Sequence, residues 1–416
     1  MTETRLAHMM EAARLTRAGR LTEATALLQH ALRDGGGSEA PPAQDGAGAR
    51  GTRAREPRLI DVDPDTGEAT VPGSAEGPSA SPRSWTGRWS VGRPGEAMAP
   101  RLPTALRKLI NEARRGGSSS PSEAPPDGAQ FFTRSFTSHA GSRAYKLYVP
   151  ASGRREAMPL VVMLHGCKQS PDDFAAGTRM NLLAEVHGCL IAYPEQSQAA
   201  NGQKCWNWFS PGHQARDRGE PALIAGITQQ IVRDHAADGR RVYVAGLSAG
   251  GAAAAIMAAA YPEVYAAVGV HSGLACGAAR DMTSAFAAMR QGAAVVEPAG
   301  AASAAGGRRR LVPTIVFHGD EDATVHPRNG EQVIDQSGTS TGLRVVVHHG
   351  KVPGGHAYKR TTRVDERGEA VLEQWLVHGA GHAWSGGSAD GSYTDPRGPD
   401  ASHEMLRFFL SHALGA

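Results

Sequence analysis

Cysteine is scarce in this chain: four in 416 residues, at Cys167, Cys189, Cys205 and Cys276. Their scatter excludes a disulfide-stapled scaffold, and none has the paired spacing of a zinc site. Aromatic residues are also few, at 6%. No apolar run reaches the length of a membrane span, so no transmembrane segment is expected. An excess of one charge is missing as well. The 44 Lys and Arg nearly balance the 41 Asp and Glu, and no segment is strongly basic, which excludes a nucleic-acid binder. The basic–apolar–small pattern of a secretory signal is absent from Met1 to Leu32, which Glu3, Glu11 and Glu23 interrupt, so the chain as written reads as cytoplasmic.

What is abundant is glycine (51) and proline (26), and they are unevenly spread. Residues 1–33 form a pair of amphipathic stripes, Leu6, Met9, Met10 and Ala13, then Leu21, Ala24, Leu27, Leu28 and Leu32. This resembles a single tetratricopeptide-type helical hairpin. One such hairpin does not bury its apolar face alone, so it is expected to dock on its own catalytic domain or on a partner. Residues 34–128 turn to Gly, Pro, Ser, Ala and Arg, the composition of a disordered linker. One amphipathic stretch near 102–115 interrupts it, with Leu106, Leu109 and Ile110 opposite Arg107, Lys108, Arg114 and Arg115.

From 129 to 416 the pattern changes again. Phe131–Thr137 and Arg143–Val149 alternate like antiparallel strands. Buried apolar runs then follow at 160–164, 190–193, 242–245, 266–270 and 314–317, separated by helical stretches at 171–186, 221–237, 249–260 and 327–337. A strand at 343–348 and a helix over 401–414 close the unit. Strands alternating with helices of this length predict an α/β fold, a mostly parallel sheet covered by helices on both faces. The Ala/Gly-rich segment between Ala278 and Arg310 breaks the rhythm and is expected to be a partly mobile insertion near the site.

Gly246-Leu247-Ser248-Ala249-Gly250 fits G-x-S-x-G between a buried strand and an Ala-rich helix. A serine hydroxyl becomes a useful nucleophile when a sharp strand-to-helix turn holds it in the open beside a base, and that turn needs small residues two positions either side. An acid and a histidine should follow, in that order, at later strand ends. His318-Gly319-Asp320-Glu321-Asp322 supplies the acid. Asp322 is the candidate because it lies further into the loop with Val325 behind it; Asp320 is its rival, and Asp320 and Glu321 are otherwise expected to be solvated loop charges. The glycine-rich loop from His378 to Gly387 supplies the base, with His382 as candidate and His378 as rival. The N–H groups of Cys167 and Ala249 are the candidate oxyanion donors, with His165 packed beneath the hole as a structural residue. Cys205-Trp206-Asn207-Trp208-Phe209 is the densest aromatic cluster, so Trp206 and Trp208, with Trp384 beyond the base, are candidate substrate-binding residues; one indole of the cluster is simply core in the plainer reading, and at least one is expected to face the cleft. The chemistry implied is two-step acyl transfer, with no metal or organic cofactor.

His165-Gly166-Cys167, Tyr193-Pro194-Glu195-Gln196, Cys205-Trp206-Asn207-Trp208, Gly246–Gly251, His318–Asp322 and Gly381-His382-Ala383-Trp384 together resemble the esterase family of poly(3-hydroxybutyrate) depolymerases, and more narrowly its type 1 catalytic domain. The resemblance covers roughly 131–416. It implies an α/β-hydrolase fold, a triad of Ser248, Asp322 and His382, and hydrolysis of poly(3-hydroxybutyrate) or related hydroxyalkanoate polymers or oligomers. It also implies that Cys167 and Cys205, whose counterparts are bridged in secreted relatives, lie close enough to form a disulfide, whether or not the bond has formed. Secreted members carry a signal peptide, a fibronectin-like linker and a polymer-binding domain. Here a hairpin and a polar linker stand in their place, which points to a cytoplasmic enzyme acting on storage granules or soluble oligomers. Feruloyl and acetylxylan esterases belong to the same family, and the triad does not separate them. A granule-binding scaffold without activity is the remaining alternative; it needs a broken triad, and none is visible.

Overall fold

A computed structural model describes residues 125–151, 157–294, 310–337 and 342–415, together with two strands at 59–62 and 69–70. The hairpin expected over 1–33 and the amphipathic stretch near 102–115 lie outside the described residues.

The strands are β1 (Leu59–Val62), β2 (Ala69–Thr70), β3 (Gln130–Ser138), β4 (Gly141–Val149), β5 (Leu160–Leu164), β6 (Leu190–Pro194), β7 (Val242–Leu247), β8 (Ala267–His271), β9 (Thr314–Gly319), β10 (Arg344–Lys351), β11 (Ala357–Val364) and β12 (Ala370–Val377). They form one sheet in the order β2-β1-β10-β11-β12-β9-β8-β7-β5-β6-β4-β3. Its centre, β6-β5-β7-β8-β9-β12, is parallel throughout. The flanking β3, β4, β10 and β11 are antiparallel to their neighbours on the inner side. Two further strands, β13 (Trp384–Ser385) and β14 (Thr394–Asp395), pair with each other.

The helices are α1 (Pro171–Thr178), α2 (Met180–His187), α3 (Gly219–Asp234), α4 (Ala249–Ala260), α5 (Met282–Gln291), α6 (Arg328–Ser337) and α7 (Ala401–Leu410). Side chains alternate across each strand, so successive residues enter different cores. Val162 and Leu164 of β5, Val244 of β7 and Val270 of β8 face Ile224, Ile227, Ala252, Ile256, Val333 and Ile334 of α3, α4 and α6. Val161, Met163, Tyr243, Ile315 and Phe317 face Phe174, Met180, Met405 and Phe409 of α1, α2 and α7. Both faces are thus covered, and fully burying each large aliphatic or aromatic side chain is worth roughly 1.5–3 kcal/mol.

Four local readings of the sequence change. The helix expected over 171–186 is two helices, because Arg179 takes a left-handed φ of 54° and ends α1 while starting α2. The segment after Ala278 is not wholly irregular: Asp281 and Ser284 form a reciprocal capping box that starts α5, satisfying backbone donors at the helix start. Residues 295–309 lie outside the described residues. The closing helix ends at Leu410. Finally, two short strands fall inside the stretch that composition reads as linker: β1 pairs in parallel with β10 and antiparallel with β2. No helix among the described residues is long and apolar enough to cross a membrane.

Candidate active site

The parallel centre of the sheet sends the ends of β5, β7, β9 and β12 to one edge, where the candidate residues lie on the loops that follow. This is the usual place for chemistry in an open α/β sheet.

Ser248 stands between β7 and α4 with φ 57° and ψ −119°, a strained conformation for a residue with a side chain. Its backbone is held from both sides, its N–H donating to the His271 carbonyl and its carbonyl accepting from Ala252 N–H, both at 2.9 Å. The flanking glycines follow from the same turn. A Cβ on Gly246 would lie 2.3 Å from the Gly250 carbonyl carbon, and one on Gly250 would lie 1.9 Å from the Leu164 oxygen. Neither overlap is tolerable, so the turn that exposes Ser248 requires glycine at both positions.

Cys167 lies on the loop after β5, and this loop approaches the serine closely: a Cβ on Gly166 would be 3.7 Å from Ser248 Cβ. Gly166 N–H donates to Gln169 Oε1 at 2.9 Å, and Lys168 and Gln169 N–H donate to Gln203 and Gly166 carbonyls. Among the described residues the Cys167 N–H alone of these four has no such acceptor. Ala249 opens α4, so its N–H has no acceptor within the helix. Among the described residues, neither of the two donors expected for an oxyanion has an acceptor of its own.

The loop is tied down by a disulfide between Cys167 and Cys205, with Cα atoms 4.2 Å apart. The bridge leaves out Cys189 and Cys276. Beneath it, His165 Nε2 accepts from Gln196 N–H at 3.0 Å and Nδ1 donates to the Gly166 carbonyl at 2.8 Å. Burial lowers the His165 pKa to about 4, so this imidazole is a neutral structural element, as its position in the sequence suggested. Gln169 continues the support: its Nε2 donates to Asp173 Oδ2 at 2.8 Å and to the Ser392 carbonyl at 3.0 Å.

Asp322 follows β9. Its Oδ1 accepts from Thr324 and Val325 N–H at 2.9 and 2.8 Å, and its Oδ2 accepts from His382 Nδ1 at 2.7 Å. The Asp322 side chain is 0% exposed and that of His382 12%. Burial alone would raise the Asp322 pKa. The imidazoles of His318 and His382 and the Val325 N–H outweigh it and hold the carboxyl well below the usual range. A carboxylate bonded to Nδ1 leaves Nε2 of His382 as the nitrogen that exchanges protons. The acid and base loops are also laced together, with Asp320 and Glu321 N–H donating to the carbonyls of Val377 and Ala380, each at 3.1 Å.

The rival residues form a pair of their own. Asp320 Oδ2 meets His378 Nδ1 at 2.7 Å, and Asp320 Oδ1 accepts from Gly379 N–H. Asp320 is therefore not a free solvated charge. This second pair is 34% and 43% exposed, where water competes for its hydrogen bonds, and it braces the loop that carries His382.

The aromatic wall is corrected for Trp206 and Trp384. Trp206 is 0% and Trp384 1% exposed. Each indole N–H finds an acceptor inside, Trp206 on the His165 carbonyl and Trp384 on Ser402 Oγ, both at 3.0 Å. A large ring with one donor packs well in a core when that donor is paired, and here both rings anchor loops rather than face a cleft. Trp208, edge-on to Phe209, is buried as well. The sequence marks none of Gln169, His318 and His271, whose carbonyl holds the Ser248 N–H and whose Nε2 accepts from Ser385 N–H at 2.9 Å. His318 lies within the acid motif and Gln169 two residues past His165-Gly166-Cys167, but only their tertiary partners reveal their roles.

Residues 143–349 match the family model described as "Esterase PHB depolymerase"; Ser248 and Asp322 fall inside the match and His382 beyond it. The chain is 33% identical over 251 residues to "Poly(3-hydroxyalkanoate) depolymerase C" of Paucimonas lemoignei, covering 59% of this chain and 60% of that protein. It is 28% identical over 207 residues to "Feruloyl esterase B" of Thermothelomyces thermophilus, covering 47% of this chain and 69% of the other. The acetyl xylan esterase from Aspergillus awamori superposes with a TM-score of 0.53 at 20% identity, covering 67% of this chain and 99% of that one, which supports the α/β-hydrolase fold. The chain thus spans 60% of the depolymerase it matches.

Proposed function

We propose that this chain, whose residues 143–349 belong to the esterase PHB depolymerase family, is a serine carboxylic ester hydrolase acting on poly(3-hydroxybutyrate) or related hydroxyalkanoate polymers and oligomers. The observation that carries the reading is the buried Asp322–His382 pair, 2.7 Å apart, on loops that follow β9 and β12 at the same sheet edge as the loop after β7 that holds the strained Ser248.

In this reading His382 Nε2 takes the Ser248 proton as Oγ attacks the ester carbonyl. Asp322 fixes the tautomer and stabilises the imidazolium that forms. The tetrahedral oxyanion rests on the N–H groups of Cys167 and Ala249, donors already oriented before the reaction, which is where such sites gain most of their effect. His382 then protonates the leaving alkoxide, and water, deprotonated by the same imidazole, releases the acid from the acyl-enzyme. No step calls for a metal or organic cofactor.

The polymer substrate is supported by the 33% identity to the Paucimonas depolymerase. A second reading, a feruloyl- or acetylxylan-type esterase, is supported by the 28% identity to feruloyl esterase B. Residues 1–33 and the 102–115 stretch are the proposed means of contact with a storage-granule surface, and a cytoplasmic, granule-associated enzyme is the corresponding location. The test is a parallel assay on 3-hydroxybutyrate oligomers, amorphous granules, feruloyl esters and acetylated xylan, each with Ser248→Ala as control. Ser248-dependent release of hydroxybutyrate in excess of the other acids supports the first reading. Preference for feruloyl or acetyl esters supports the second.

A further inference from the structure

His318, the fifth residue of β9, is fully buried, and the acyl-transfer steps do not use it. Its Nε2 lies 2.7 Å from the Val325 carbonyl and 3.5 Å from Asp322 Oδ2. Both neighbours are acceptors, and a carbonyl oxygen only accepts, so Nε2 carries the proton. Its Nδ1 is buried with no hydrogen-bond partner among the described residues. It faces Gly330, where an added Cβ would lie 2.8 Å away. An N–H at Nδ1 would have no acceptor there, so the donor this imidazole offers is Nε2–H. It is a fixed donor, not a second base.

That donor closes the acid loop. Val325 is gripped at both ends of its peptide: its N–H goes to Asp322 Oδ1 at 2.8 Å and its carbonyl to His318. Asp322 Oδ2, the oxygen that meets His382, has the His318 N–H on its other side. The carboxylate therefore sits between two imidazoles, with its remaining oxygen fixed by the backbone. Removing the His318 N–H would leave the Val325 carbonyl buried and unpaired, freeing the segment that orients Asp322.

The geometry points to His318 as a positioning residue, whose N–H clamps the 322–325 loop and so aims the Asp322 carboxylate at His382. The inference rests on the esterase reading only for the consequence in turnover; the clamp itself is observable without substrate. A glutamine at 318 places an amide N–H near the position of imidazole Nε2, an asparagine falls short, and a leucine offers no donor.

The experiment compares wild type with His318→Gln, His318→Asn and His318→Leu by proton NMR of the downfield His382 Nδ1–H resonance, assigned by its loss in His382→Ala. The kcat and KM for p-nitrophenyl butyrate are measured in parallel. Wild type and His318→Gln should keep a sharp downfield resonance. His318→Asn should lose or broaden it, with kcat lower by roughly ten-fold or more, about 1.4 kcal/mol in the barrier, and KM nearly unchanged. His318→Leu should behave like the asparagine variant; if it does not fold, the glutamine–asparagine pair decides. A resonance and kcat preserved in His318→Asn overturn the inference, as does a glutamine variant as impaired as the asparagine one. Absence of the resonance from wild type overturns it too. A resonance that follows this pattern in a protein without Ser248-dependent turnover would refute the esterase reading and leave the clamp standing.

Discussion

Replacing Asp322 by asparagine is a near-isosteric change whose consequence follows from the hydrogen bonds around it. Oδ1 accepts two backbone N–H groups, from Thr324 and Val325, whereas Oδ2 faces His382 Nδ1. The amide oxygen of asparagine will keep the two backbone donors, since turning it would set an NH2 against both. The NH2 group then faces His382. Two donors cannot share that contact, so His382 must present a lone pair at Nδ1 and carry its proton on Nε2. An imidazole in that tautomer cannot accept the Ser248 proton. For an intact fold with the wrong tautomer the loss in kcat is of the order of 10⁴-fold, about 5 kcal/mol of transition-state stabilisation. Asp320→Asn keeps an acceptor for Gly379 N–H and alters only the half-exposed contact with His378. Its loss should stay below about ten-fold, in the range of an exposed ion pair. Steady-state kinetics on p-nitrophenyl butyrate, with thermal melts to confirm folding, separates the two. A larger loss from Asp320→Asn than from Asp322→Asn would refute the assignment of the acid.

Three further outcomes are expected. Burial lowers the pKa of His165 to about 4 and of His271 to about 3, whereas an unfolded histidine binds its proton near 6.5. Unfolding therefore takes up protons below that point, and the stability fully present above pH 6.5 is lost as pH falls toward 4 and then 3. Urea titrations across that range would show it, and a flat profile would count against two neutral buried imidazoles. Thiol counting on the denatured protein should find two thiols without reductant and four with it; reduction should lower kcat more than it raises KM, because the bridge holds the loop that carries the Cys167 N–H. Deleting residues 1–55 should leave soluble-ester hydrolysis intact, since every candidate catalytic residue lies beyond them, and should weaken retention on polymer granules in a pull-down. Loss of soluble-ester turnover would contradict the separation.

The elbow around Ser248 was readable because local sterics determine it: a Cβ on either flanking glycine would come within 1.9–2.3 Å of backbone atoms. The central strands were readable because a strand buried on both faces is an unbroken apolar run. β11, Ala-Tyr-Lys-Arg-Thr-Thr-Arg-Val, is polar on its surface and is defined by register with β10 and β12, information that its own residues do not carry. The same holds for β1, which joins the sheet only through a distant partner. Tryptophans misled because aromatic density reports neither which way a ring turns nor where its N–H finds an acceptor. His318 stood in full view within the acid motif, but its role depends on Val325 and on a carboxylate four residues away, both positioned by tertiary structure.

The central claim is that Ser248 is the residue acylated during turnover. Mixing the enzyme with excess p-nitrophenyl butyrate and quenching in acid within the first turnovers, followed by peptide mass spectrometry, tests it most directly. The account predicts a butyryl adduct on the peptide bearing Ser248, formed in a burst of p-nitrophenol equal to the enzyme concentration and absent from both Ser248→Ala and His382→Ala. An adduct on another residue, or hydrolysis that persists in Ser248→Ala at the wild-type rate, would contradict it.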